Sequence, residues 1–477
     1  MAPICSHESY GLLHQVIPYI VESFTSNSKE AILLNIATDG DTARRKSLNS
    51  MKRPNNSLGV LKLMKYFDTN LVCGNYSVNF DPKHLAKRIR SIIISSSRSM
   101  VLNKIQINSS IINEFLKSRN IAHVNSLMDP HEKQNVPMAV SLLNIIHEQT
   151  IGDPPIDPLS RDIFNEIKLL GIIKSLFLSL FTKLDINLID QLLNMSHLSH
   201  LLLYIFRRHK SKFITKNLYC DLQSTIQDAF VVAAKFIEIN SKADLLLYQL
   251  GTDQLEILFG TIRTLTHSSN CDFLELIERC KMAFQIESVY IKEPNLRKAS
   301  RLSSNTKTAD DHSSSNEWCG QLTTENLRLV TVWNFGQKKA EATLKKFDFD
   351  CSHDLSNSGI TMMNPFGSQL DEENSIDDED FSFPFIDQNY ADINLENLQD
   401  LMPPFSSSTQ NSMYVQIDGA YVHKSNAVNS ILNNKTKTSK DRLIRVQSKA
   451  VSVPSDDIDE FDDSDTFLKM NDTVLSK

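Results

Sequence analysis

The sequence predicts an α/β amino-terminal part, a long helical middle and an acidic carboxyl-terminal tail with no core of its own. Three observations carry this reading. Short apolar runs alternate with helix-spaced segments over the first hundred residues. From Ser160 to about Arg208 the apolar residues recur only at helical spacing. Beyond residue 350 the chain becomes rich in Asp, Ser and Asn, a composition that buries too little apolar surface to offset the entropy of ordering.

Each element follows in order. Leu12, Leu13, Val16, Ile17, Ile20 and Val21 give Gly11 to Phe24 one apolar helical face. Ala31 to Ala37 is a short apolar run closed by Thr-Asp-Gly, as a central strand would be. Thr42 to Met51 reads as a helix start ended by Pro54-Asn55-Asn56. Val60 to Cys73 and Tyr76 to Phe80 are strand candidates. Pro82 suits a first helical turn, and Leu85, Ile89, Ile92 and Ile93 then share a face to Ser95. Asn108 to Leu116 and Ala139 to His147 are predicted helices, with a proline-rich hinge at Asp153 to Asp157. Asp221 to Ile239 and Asp253 to Thr264 continue the helical pattern. Ser300 to Ser315 reads as a polar linker. A short island from Glu317 to Phe347, holding Trp318 and Trp333 and ending in a helix at Gln337 to Lys346, is expected to strap back onto the core. No internal repeat is visible.

The 477 residues suffice for two or three domains, and a hydrophobic content of 41% supports a real core. The net charge of −7 hides an asymmetry. Residues 351–477 hold 22 acids against 9 bases, so residues 1–350 hold 35 against 41. A mildly basic body is compatible with a phosphate-binding face, and an acidic tail with basic protein partners. Seven cysteines without a C-x-x-C pair argue against a disulfide framework or zinc finger, and for reduced thiols in the nucleus or cytoplasm. The residues from Met1 to Glu8 lack the features of a signal peptide. The most apolar run, Ile167 to Phe181, contains Lys168 and Lys174 and is too short to span a bilayer, so no membrane association is expected. Phosphate-loop, nucleophile-elbow and zincin signatures are missing from the sequence.

Three motifs remain: Thr38-Asp39-Gly40-Asp41-Thr42-Ala43-Arg44-Arg45, then Phe80 to Arg90 (FDPKHLAKRIR), then Thr252 to Arg263 (TDQLEILFGTIR). Together they resemble the catalytic region of P element transposases and their THAP-domain relatives, and more closely a set of uncharacterised fungal proteins of that ancestry. The resemblance covers roughly residues 10 to 350, though only the three motifs are specific. It implies a partial RNase H-like core at about 10–100, a helical insertion at 101–240, and a returning segment at 241–295. A linker and Trp-containing strap at 296–350 and a disordered acidic tail at 351–477 complete the expected organisation. It also implies nuclear location and a DNA partner.

In that family acidic residues converge on two Mg²⁺ or Mn²⁺ ions that activate the attacking hydroxyl and stabilise the leaving oxygen. Carried over by motif, Asp39 and Glu256 are the expected catalytic metal ligands, with Asp253, Asp81 and Asp41 in support. His84, Lys87, Arg90 and Arg263 are the expected contacts to the DNA backbone. The departure lies upstream: residues 1–38 contain no Asp, only Glu8, Glu22 and Glu30, so the family's first aspartate has no counterpart. The expectation is a degenerate or truncated polynucleotidyl transferase core, inactive as written. In an alternative set Asp39 and Asp81 serve as the two aspartates, with Glu256 completing them. The rival reading is a non-catalytic helical scaffold. Each motif also has a plain structural role available. Thr-Asp-Gly after a strand is a common turn, Asp253 after Thr252 is an ordinary N-cap or first-turn acid that Glu256 three residues on makes close to a capping box, and Lys87, Arg88 and Arg90 would suit a solvated face. His197 and His200, spaced i and i+3, are read as a core or surface pair before a metal pair.

Overall fold

A computed structural model of the chain describes most of residues 32–48, 59–132, 135–181, 185–265, 272–293, 319–351 and 359–367, with a helical segment at 17–23 and a hairpin within 414–423. Contacts divide the chain into Met1–Asp380 and Phe381–Lys477. Helix dominates the described residues, and the strands among them are short. Asp41, Trp318, the 300–315 linker and the acidic runs at 371–380 and 456–465 lie outside them, as does the side chain of Asp253.

The first sheet holds strands β1 (Asn35–Thr38), β2 (Val72–Cys73) and β3 (Tyr76–Phe80) in the order β1-β3-β2. β1 runs parallel to β3 with Thr38 opposite Phe80, and β2 pairs antiparallel. The expected strand at 60–73 is corrected: Gly59–Leu63 forms a 3₁₀ turn and only Val72–Cys73 pairs. Leu61, Met64 and Phe67 are buried, a spacing of three. Met64 N–H donates to Leu61 O and Phe67 N–H to Met64 O, which fits a 3₁₀ path better than alternation.

Helix α1 (Pro82–Ile94) follows β3, with Asp81 as its N-cap and Pro82 in its first turn. It buries Leu85, Ala86, Ile89, Arg90, Ile93 and Ile94. A β4–β5 hairpin (Ser99–Val101 and Gln106–Asn108) leads into α2 (Ser109–Ser118). After α3 (Val124–Leu127), α4 (Val136–Glu148) pairs with α5 (Pro158–Leu178), on which buried Glu166 accepts the N–H groups of Leu102, Asn103, Lys104 and Ile105. A carboxylate thereby satisfies a turn whose donors would otherwise be orphaned.

Helices α6 (Leu188–His209) and α7 (Lys216–Asn240) form the centre of the first unit. Nearly every residue from Leu218 to Lys235 is buried, polar ones included. These find partners on the sheet: Ser224 donates to Val78 O, and Thr225 both donates to Phe80 O and accepts from Phe80 N–H. Helix α8 (Asp253–Thr264) turns back into α9 (Phe273–Lys292). The last long helix, α10 (Leu329–Lys345), lies along α6. Gly336 is required there, since a Cβ would meet Ser196 Oγ at 2.2 Å.

Trp333 belongs to a strap as expected: it is 0% exposed, is wedged edge-on against Phe67 and Phe230, and donates from Nε1 to Lys65 O. His197 and His200 sit in the same core, His197 against Thr343 Oγ1 at 3.0 Å and His200 against the Trp333 ring and the Ser196 carbonyl. They form a core pair. Burial lowers both pKa values to about 4. Burial likewise lowers Lys174 to about 7; it lines a cavity of about 10 Å³ with Ile89, Met100, Leu202 and Phe213.

Two stretches of the expected tail are among the described residues. Residues 359–367 pack within the first unit, with Met362 N–H donating to Tyr66 O, Tyr219 donating to Met362 O and Thr361 to Asp68 Oδ2. In the second unit, β6 (Tyr414–Ile417) and β7 (Ala420–His423) form an antiparallel hairpin. Asp418-Gly419 between them is a hairpin signal in the sequence. No helix among the described residues is long and apolar enough to cross a membrane, and none of the four cysteines described there is in a disulfide.

Two outcomes are expected. Trp333→Ala removes the filler between Phe67, Phe230 and His200 and costs about 3–5 kcal/mol in denaturant unfolding. His197 and His200 are neutral when folded but take protons near pH 6.5 when unfolded, so stability declines as pH falls from about 6.5 toward 4. The decline reaches at most about 2 kcal/mol per histidine at pH 5, read from unfolding curves at pH 7 and 5.

Candidate functional site

β1 and β3 run parallel and end in register, so Asp39 and Asp81 leave the sheet side by side, and Asp81 N–H donates to Thr38 O at 2.9 Å. Asp81 is buried, and each carboxylate oxygen is fully engaged. Oδ1 accepts the N–H groups of Lys83 and His84 at 2.8 and 3.0 Å, which caps α1. Oδ2 accepts Thr252 N–H at 2.6 Å and Thr252 Oγ1–H at 2.9 Å, which fixes the start of α8. Gly251 makes this approach possible, because a Cβ there would stand 2.6 Å from Asp81 Oδ2.

Two asparagines complete the docking. Asn35 and Asn79 both donate from Nδ2 to Leu250 O, at 3.3 and 2.8 Å. The segment before α8 is therefore held by one residue on each of the two parallel strands and by the cap that follows them. Thr252 spends its hydroxyl on Asp81 and makes no side-chain cap of its own helix. Glu256 reaches His84 instead, with Oε1 3.3 Å from Nε2. All three motifs thus meet at one edge of the sheet, although about 170 residues separate the second from the third.

Asp39 pairs with Arg44 at 3.2 Å. Behind it, Arg45 donates from Nε and Nη2 to the two oxygens of Asp221 at 3.0 and 2.9 Å, and Arg88 bonds the same carboxylate. Asp221, Asn35 and Asn79 carry no motif signal in the sequence, because an asparagine in a strand or an acid in an apolar helix shows its purpose only once its partner is placed. A weak signal existed for Asp221: an acid within an otherwise apolar helical stretch is rarely buried without a partner.

On α1, Lys83, His84, Lys87 and Arg88 lie on the partly exposed side. Arg90 faces the other way, which corrects its reading as a DNA contact. It is 1% exposed, and its guanidinium donates to the carbonyls of Leu127, Asp129 and Glu132. Burial lowers its pKa while Asp129 and Glu132 oppose the shift. The helical period explains this: Arg90 follows Ile89 and precedes Ile93 on the buried face, two positions beyond Arg88 and so on the opposite side of the helix. Arg263 is exposed in the last turn of α8, two turns beyond Glu256.

The expected metal ligands were Asp39 and Glu256, with Asp81 as second aspartate in the alternative set; of the other supporting acids, Asp41 and the Asp253 side chain lie outside the described residues. Asp81 offers no oxygen, since four donors already occupy it, while Asp39 and Glu256 face Arg44 and His84. Among the described residues no three His, Cys, Asp or Glu side chains converge as a cation would require. The described part of that donor set does not fit a two-metal centre.

Comparison with known proteins gives little. No family model matches the chain, and no curated protein matches it. Among solved structures, a Drosophila P element transposase strand transfer complex is similar at 15% identity and a TM-score of 0.40. The similarity covers 59% of this chain and 65% of that one.

Asp81→Ala removes a helix cap and the clamp on Thr252 together. The expected cost is about 2–4 kcal/mol in denaturant unfolding, with Gly251→Val destabilising in the same direction through its clash with the same carboxylate.

Proposed function

We propose that this is a transposase-derived, DNA-interacting protein that contacts the DNA backbone without cutting it. One observation carries the reading. Where the three motifs meet, basic side chains gather on the partly exposed side of α1 and in the last turn of α8. Lys83, His84, Lys87 and Arg88 occupy the partly exposed side of α1, and Arg263 is exposed on α8. Phosphate contacts of this kind give affinity and register without sequence readout. The ancestry rests on the three motifs of the sequence, and nuclear residence follows as part of the same proposal.

The carboxylates serve the fold in this reading. Asp81 caps α1 and clamps α8, and Glu256 orients His84. The motif order of a polynucleotidyl transferase persists because those residues join the sheet to the returning helix. Bound Mg²⁺ or Mn²⁺ belongs to the ancestral chemistry. The acidic tail, the most negative part of the chain, is proposed to take basic protein partners.

Fluorescence anisotropy with a short duplex, run across a salt series, tests this. The full chain is expected to bind weakly, with log affinity falling linearly in log salt. Lys87→Ala and Arg263→Ala each lower the slope by about one phosphate contact. EDTA leaves binding unchanged, and supercoiled DNA stays uncut in Mg²⁺ or Mn²⁺. Binding absent at low salt would remove the DNA reading. Metal-dependent cleavage lost in Glu256→Gln would restore the catalytic one.

A further inference from the structure

Asp221 lies on α7 and is 0% exposed. Arg45 engages it side-on, Nε to one oxygen at 3.0 Å and Nη2 to the other at 2.9 Å, and Arg88 Nη1 closes on the second oxygen. This fork is the one a guanidinium offers equally to carboxylate and to phosphate. The two arginines come from different motifs, one after β1 and one on α1. Arg45 is further fixed by donating from Nη2 to Gly40 O at 2.7 Å, where Gly40 takes φ +89°. That left-handed turn brings the carbonyl to the guanidinium and suits glycine.

Depth differs across the cluster. The Arg45 and Asp221 side chains are 8% and 1% exposed, whereas Arg88 is 26% exposed. Water therefore meets the cluster along Arg88. We propose that Arg45 and Arg88 form an anion site that Asp221 occupies from within, and that a phosphate group is the external ligand that takes over Arg88's share of that carboxylate. The guanidinium geometry supports the site by itself; that the phosphate comes from a DNA backbone rests on the function proposed above. When a phosphodiester approaches α1, Arg88 exchanges its carboxylate partner for the phosphate while Arg45 keeps Asp221 in place. Arg88 thereby joins Lys87 as a backbone contact, and Asp221 sets how readily it does so.

The experiment uses the full chain. Asp221→Asn removes the charge and keeps the shape, leaving two guanidiniums around a neutral amide, which destabilises. Thermal melts are run in chloride and in inorganic phosphate at matched ionic strength. The expected result is a lower Tm for Asp221→Asn in chloride, recovered by several degrees in phosphate. The unsubstituted protein does not move, and Asp221→Asn/Arg88→Ala shows no recovery. If Asp221→Asn does not fold in chloride, refolding yield with and without phosphate is the same test. Equal behaviour in phosphate and chloride overturns the proposal. The DNA arm separates the sources: Asp221→Asn is expected to bind duplex more tightly, with a salt slope steeper by about one. Phosphate recovery with unchanged DNA binding keeps the anion site and sinks the DNA source.

Discussion

The carboxylate of Asp81 is the joint on which the site depends. It sits where β3 ends, caps the helix that begins there, and clamps Thr252 at the start of α8. Four donors converge on one buried anion, so N–H and O–H dipoles compensate its charge. Removing any partner would leave a buried group unsatisfied, which makes the joint specific as well as stable.

The same economy of structure recurs. Glu166 gathers the N–H groups of the β4–β5 turn, Asp221 gathers two arginines, and Arg90 gathers the carbonyls after α3. In each case a single charged side chain closes a loop that has no regular pairing of its own. The helices α6, α7 and α10 supply the apolar mass around these joints, with Trp333 at their junction with the 3₁₀ segment after Gly59.

At the sheet edge the acids and bases of the three motifs divide their labour. Acids point toward protein donors: Asp39 to Arg44, Glu256 to His84, Asp221 to Arg45 and Arg88. Lys83 and Lys87 lie on the partly exposed side of α1. Such a surface suits a polyanion held by its phosphates, and its affinity would be electrostatic and salt-sensitive.

Sequence by itself determined the elements whose signals are local. Periodicity and capping located α1, α4, α7 and α8, with α8 running from Asp253 to Thr264 as read. The strap around Trp333 was also legible, because an aromatic-rich island between polar stretches has nowhere to bury its rings except an existing core. Tertiary structure alone decided the rest. Whether Arg88 or Arg90 faced outward turned on two residues of helical phase, and the 3₁₀ path after Gly59 turned on which face met α7 and α10. The packing of residues 359–367 depended on acceptors and donors supplied by Tyr66, Asp68 and Tyr219. Most of all, the fate of Asp81, Asp221 and Glu256 depended on partners up to about 170 residues away. A carboxylate's residue type fixes its charge, but only the folded chain fixes which donors reach it first.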